Sequence, residues 1–115
     1  MEIGIDCVEI NRFADQGTVF FKRVFTDREI NYCENKGKPL QHYAGKFAGK
    51  EAVIKALHPF GVSLDVGKIE ILNDEFGRPV VNLACESPDS YIIKISLSHS
   101  NSIAMAVAVA VRKSG

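Results

Sequence analysis

Two different spacings of apolar residues divide the chain into halves. Residues 2–10 are short, rich in Ile and Val, and read as a strand. A short helical or loop segment carrying Arg12 and Asp15 follows. Thr26-Asp27-Arg28-Glu29 is a capping box, in which the Thr26 hydroxyl and the Glu29 carboxylate meet the first free N–H groups of a helix. That helix ends near Asn35, ahead of Gly37-Lys38-Pro39. Pro39 suits the first turn of a second helix, which runs to about Leu57 and stops at His58-Pro59-Phe60-Gly61. Beyond this point the period becomes two. Residues 68–72 and 80–84 are strands of a hairpin whose loop is residues 73–79. Residues 91–98 and 103–111 are two more strands around Ser100-Asn101-Ser102. The last is apolar on both faces, which predicts a central strand or one lying against a neighbouring subunit. Helices in the first half and strands in the second predict an α+β fold, the helices packed on an antiparallel sheet formed largely by the second half.

Composition narrows the class without naming a function. A length of 115 residues fits one domain, residues 1–115, with a modest core that burial in an oligomer would extend. Lys+Arg and Asp+Glu number 14 each, so no overall field favours nucleic acid or an anionic membrane. Cys7, Cys33 and Cys85 are odd in number and contain no CxxC pair, which fits reduced thiols in the cytoplasm and gives no disulfide or metal framework. No basic segment followed by an apolar one opens the chain, so no signal peptide is expected. The longest apolar run, residues 103–111, falls far short of the roughly 20 residues that span a bilayer. No P-loop, GxGxxG, HExxH or GxSxG pattern occurs.

Chemistry enters through charged residues set among apolar ones. Wound at about 100° per residue, the second helix places Leu40, Tyr43, Ala44, Phe47, Ala48 and Ile54 on one stripe, with Glu51 and Lys55 inside it. A carboxylate directed toward a core needs a cation, a hydrogen-bond network or a metal. Asp6 interrupts an apolar strand and shares a face with Gly4 and Val8. His99 continues the parity of Tyr91, Ile93, Ile95 and Leu97. Each has a plain structural alternative: an i,i+4 ion pair for Glu51 and Lys55, a strand-end cap for Asp6, a hydrogen-bonded core histidine for His99. One shared explanation is a divalent cation between two carboxylates. Mg²⁺ is the natural choice, since protein carboxylates and phosphate oxygens complete its octahedron. Lys46 and Lys38 are basic residues able to meet such a phosphate, against the alternative of ordinary solvated lysines.

Four blocks together resemble the holo-[acyl-carrier-protein] synthases, the small-subunit group of the 4′-phosphopantetheinyl transferase superfamily. They are Gly4-Ile5-Asp6-Cys7-Val8-Glu9-Ile10, Arg23-Val24-Phe25-Thr26-Asp27-Arg28-Glu29, residues 44–57 with Phe47-Ala48-Gly49-Lys50-Glu51-Ala52, and Ser96-Leu97-Ser98-His99-Ser100. Asn73-Asp74 with Gly77-Arg78-Pro79 is a weaker fifth. The resemblance implies the 4′-phosphopantetheinyl transferase-like fold and transfer of 4′-phosphopantetheine from coenzyme A to a serine of an apo acyl carrier protein, in fatty-acid or polyketide synthesis, releasing adenosine 3′,5′-bisphosphate. It implies that Asp6 and Glu51 hold Mg²⁺, and that Glu51 or a metal-bound water deprotonates the serine. Lys55 would stabilise or protonate the leaving phosphate, His99 would contact the coenzyme, and Lys46 and Lys38 are candidates for its 3′-phosphate. Arg12 and Arg23 would meet an acidic helix of the carrier, with Phe20 as an apolar contact. A homotrimer with active sites between subunits is implied, with no nucleic-acid or membrane partner.

The chain departs from the family pattern at three places. Lys46 stands where Arg is usual, and lysine cannot make arginine's bidentate phosphate contact. Gly49 replaces a common Ala or Val, and His58-Pro59-Phe60-Gly61-Val62 replaces a glycine-rich turn. The alternative functional reading is a catalytically degenerate relative that binds carrier protein without turnover, whose mark would be a broken Asp6, Glu51, Lys55 set. That set is complete. A third reading is an unrelated α+β oligomer with structural buried charges.

Overall fold

Gly4 and four alanines determine how the molecule is layered. The computed structural model describes residues 1–114. Strand β1 (Glu2–Glu9) leads through a 3-10 turn, Ile10–Phe13, into helices α1 (Thr18–Val24), α2 (Asp27–Glu34) and α3 (Pro39–Leu57). Strands β2 (Ile69–Asn73), β3 (Pro79–Leu83), β4 (Tyr91–His99) and β5 (Ile103–Arg112) complete the chain. An antiparallel sheet has the order β1-β5-β4, and β2-β3 forms a separate antiparallel hairpin. The last strand is therefore central, as its two apolar faces predict. The sheet is not built from the second half alone, since β1 supplies one edge.

Helix α3 lies across one face of the sheet. On β5 that face carries Ala104, Ala106, Ala108 and Ala110, all buried. A Cβ at Gly4 would sit 2.0 Å from the Ala52 carbonyl oxygen and 2.8 Å from the Ala56 nitrogen. Helix and strand thus touch backbone to backbone, a separation only glycine permits here. The register places Asp6 opposite Ala106 and Leu97, and Val8 opposite Ala104 and His99. Alternation then sends the side chains of Asp6 and His99 to the α3 face, as the parity argument requires. The other face of the sheet is uncovered in this chain: Ile3, Ile5, Ile92, Ile103, Met105, Val107 and Val111 are exposed.

An aromatic cluster fills the space between the helices. Phe13 packs edge-on against Phe47 at 5.4 Å, and Tyr43 lies 4.7 Å from Phe21 and 5.0 Å from Phe25. The capping box forms at α2: Thr26 donates its N–H to Glu29 Oε1 at 2.8 Å, and Glu29 donates its N–H to Thr26 Oγ1 at 3.3 Å. α3 runs from Pro39 to Leu57 as predicted, and Gly61 closes the following turn at φ 81°. Strand bounds differ from the sequence expectation by about one residue at most ends, the ordinary uncertainty of element termini. Among the described residues no helix is long and apolar enough to cross a membrane.

The burial of α3 differs from the single stripe read in the sequence. The helix is buried on nearly every side from Tyr43 to Lys50, whereas Glu51 and Ile54 are half-buried and Lys55 is exposed. Covered by the sheet, the hairpin and the aromatic cluster, it has little solvent face until its last two turns. Its fully buried charges are Lys46 and Lys50.

Candidate active site

Asp6, Glu51 and Lys55 meet where β1 crosses the C-terminal half of α3. Lys55 Nζ donates to the Ile5 carbonyl at 2.9 Å and to Asp6 Oδ1 at 3.2 Å. The pair is unequal in exposure, with side-chain values of 54% for Lys55 and 17% for Asp6, so the lysine head is free to swing while the aspartate is held. Burial pushes the Glu51 carboxyl above its ordinary value of 4.5, and the Asp6 charge adds to the rise. Lys55 and Arg12 pull it back down. These four groups therefore share one electrostatic neighbourhood.

A carboxylate placed beside a second carboxylate, which adds to the rise in its proton affinity, suits a hard, oxygen-seeking cation. Among the described residues no group of three or more His, Cys, Asp or Glu side chains gathers as a complete metal cage. A two-carboxylate set fits Mg²⁺, which keeps several waters and takes phosphate oxygens for the rest. An open cleft of about 660 Å³ borders Glu51 and is lined also by Arg23, Ile54, Leu64, Val66 and Gly67. Arg23 is thereby brought to the same cleft as Glu51. Arg12 is exposed, with its guanidinium 5.0 Å from the centre of the Phe47 ring. Phe20 is half-buried, 6.0 Å from Phe13 and 5.6 Å from Phe21, and offers only part of its ring to a partner.

His99 and Lys46 belong to a second place, on the other side of α3. They line a cavity of about 200 Å³ with Tyr32, His42, Asn73 and Ser98. Lys46 Nζ donates to the Ile71 carbonyl and, at 2.9 Å, to Asn73 Oδ1, and it lies 4.6 Å above the Tyr32 ring. Its ammonium is thus anchored at the cavity wall instead of waving in solvent. His42 is held below its ordinary 6.5 by burial and by the positive charges of Lys36, Lys46 and His99. Such a neutral imidazole among cations is ready to accept a proton when an anion enters. Lys38 is exposed and does not join this cavity; it lines a neighbouring depression with Gln41, which borders both. Lys46 and Glu51 are five positions apart, about 140° around the helix, so one chain presents the two sets in different directions.

The sequence reading missed the fully buried pair. Lys50 Nζ donates to Glu29 Oε1 at 2.7 Å, and both side chains are wholly inaccessible. A signal existed: Tyr43, Lys46, Lys50, Val53 and Leu57 repeat at alternating steps of three and four, a helical face in its own right. His42 was also missed, since one histidine in a helix carries no sign of facing another across space.

Paired carboxylates beside an exposed lysine, and a separate cavity lined by Lys46, His42 and His99, make a site suited to a phosphorylated ligand. Residues 2–108 match the family model described as the 4′-phosphopantetheinyl transferase superfamily, and the chain belongs to that family of transferases. It is 44% identical over 105 residues to a holo-[acyl-carrier-protein] synthase of Chlorobaculum parvum, covering 86% of this chain and 88% of that one. The enzyme of the same name from Caldicellulosiruptor saccharolyticus is 41% identical over 119 residues and 96% of each chain. Among solved structures, the holo-[acyl-carrier-protein] synthase of Helicobacter pylori in complex with coenzyme A superposes with TM-score 0.81 at 32% identity, covering 95% of this chain and 99% of that one.

Proposed function

We propose that this chain transfers 4′-phosphopantetheine from coenzyme A to a serine hydroxyl of an apo acyl carrier protein, releasing adenosine 3′,5′-bisphosphate. The observation that carries the reading is the meeting of Asp6, Glu51 and Lys55, with Glu51 also bordering the cleft that Arg23 lines. Asp6 and Glu51 would hold Mg²⁺, which supplies positive charge against the diphosphate of the coenzyme.

The bond from the serine oxygen to the pantetheine-bearing phosphorus forms as the bridge to the second phosphate breaks. Glu51, or a water it holds, accepts the serine proton, and burial with the Asp6 charge raises the affinity of its carboxylate for that proton. Lys55 leaves Asp6 for the departing phosphate and neutralises or protonates it. That role needs a lysine exposed enough to move, and this one is. His99 contacts the coenzyme, and Lys46, with Lys38 from the neighbouring depression, meets its 3′-phosphate. Arg12 and Arg23 face the acidic helix of the carrier and chiefly set orientation and association rate, with the open part of Phe20 beside them.

The placement of the two charged sets on different sides of α3 favours a coenzyme held between copies of the chain. A homotrimer, with its exposed sheet face covered, would join the Asp6 side of one subunit to the His99 side of the next. The chain would work as one domain in the cytoplasm, where its three free cysteines stay reduced.

The test is intact mass of an apo carrier after incubation with the protein, coenzyme A and Mg²⁺. Wild-type protein should add one phosphopantetheine. Glu51→Gln should abolish the mass gain with the circular dichroism spectrum unchanged, and a fully active variant would refute the role of Glu51. Coenzyme A with Mg²⁺ should also raise the melting temperature of wild-type protein, because binding to the native state stabilises it by mass action.

A further inference from the structure

One amino group inside the molecule joins both walls of the cleft to the helical turn that carries Glu51. Besides Glu29, Lys50 Nζ donates to the carbonyls of Val24 at 2.7 Å, Ile69 at 2.7 Å and Val66 at 3.4 Å. Glu29 in turn accepts from the N–H of Thr26 at 2.8 Å through Oε1 and from the N–H of Ile71 at 2.8 Å through Oε2. Val24 directly follows Arg23, and Val66 directly precedes Gly67, and Arg23 and Gly67 both line the cleft. A Cβ at Gly67 would stand 2.7 Å from the Arg23 carbonyl oxygen, so the two walls already touch through their backbones.

We propose that the buried Glu29–Lys50 pair is a positioning device that sets the carrier-facing wall, through Arg23, at a fixed distance from Glu51. The inference rests on the transferase reading given above. Stability alone is a poor reason for the pair, because well-packed apolar residues often replace a buried ion pair at no loss. What apolar residues cannot reproduce is the geometry: backbone groups of Val24, Thr26, Val66, Ile69 and Ile71 converge on two side chains. Lys50 adjoins Glu51 in sequence, so any shift of the pair moves the wall relative to the carboxylate. Neither Glu29 nor Lys50 touches the reacting atoms.

The experiment measures kcat and KM for apo carrier with wild-type, Lys50→Met, Gly67→Ala and Arg23→Ala proteins, and the double variant Lys50→Met/Arg23→Ala. Lys50→Met should raise the carrier KM about tenfold while the melting shift given by coenzyme A with Mg²⁺ stays at the wild-type value. Gly67→Ala, at an exposed turn that perturbs the same wall from outside, should give the same signature and serves if Lys50→Met fails to fold. The double variant should lose no more than Arg23→Ala alone, since groups acting through one contact are not additive. An unchanged carrier KM in Lys50→Met or Gly67→Ala, or additive losses in the double variant, would overturn the inference while leaving an active wild-type transferase in place. Wild-type protein that modifies no carrier would instead sink the transferase reading, and this inference with it.

Discussion

A single methyl group at position 4 decides whether α3 and β1 can touch. Gly4→Ala would drive a Cβ into the backbone of Ala52 and Ala56, which no rotamer change relieves. We expect a loss of about 3 kcal/mol, the upper end for overpacking, read as a lowered midpoint in urea, together with loss of transferase activity as Asp6 moves from Lys55. A variant as stable as wild type would show that the helix can retreat freely. Gly49, the departure from the family pattern, has a local account: the ends of Ile71 and Leu97 occupy the space a Cβ would take, at 2.6 and 3.3 Å. Asp6, Glu51 and His99 were legible in the sequence because each broke a regular apolar pattern. Lys50 was not, because its charge is answered by Glu29 on another helix, and the capping role of Glu29 hid the second use of the same carboxylate.

Glu70 shows how elements are tied to one another. It accepts from Thr26 Oγ1 at 2.6 Å, from Arg28 Nη2 at 2.6 Å and from Asn82 Nδ2 at 3.3 Å, joining the start of α2 to the β2-β3 hairpin. Burial alone would raise its proton affinity, but these hydrogen bonds and the Arg28 charge outweigh it and hold the carboxyl below its ordinary 4.5. The folded state thus binds this proton less readily than the unfolded state. Its contribution to stability is complete above pH 4.5 and disappears as pH falls through the lowered value. Denaturation midpoints measured against pH should therefore decline less steeply below 4.5 in Glu70→Gln than in wild type, and parallel curves would disprove the assignment. The capping box of α2 was readable because its chemistry closes within four residues. The segment after the first strand reads as helix or loop from sequence alone, and α1 within it owes its form to Phe20 and Phe21 packing on Phe13 and Tyr43 from elsewhere in the chain.

At the scale of the whole molecule, the uncovered face of the sheet is the largest feature the chain leaves unsatisfied. Ile5 is 57% exposed, Met105 44% and Val107 37%, on neighbouring strands and facing the same way. Contiguous apolar area of this kind marks an interaction surface. Val107→Lys should turn a trimer into monomers in sedimentation velocity and remove activity with it, because the Asp6 and His99 sides would no longer meet. A monomeric wild-type protein with full activity would contradict this. Helix and strand content, their sequence and the α+β class could be read from apolar periodicity. The order of strands could not, since periodicity records which face a residue occupies and nothing about which strand lies beside it. That order, with β5 between β1 and β4, governs how the protein is made. During synthesis the first strand leaves the ribosome long before its sheet neighbour β5 exists, and β4 likewise waits for β5. Until β5 has been made there is no sheet for α3 to cover, and a chain cut short before that strand would leave β1 and β4 as two unpaired edges.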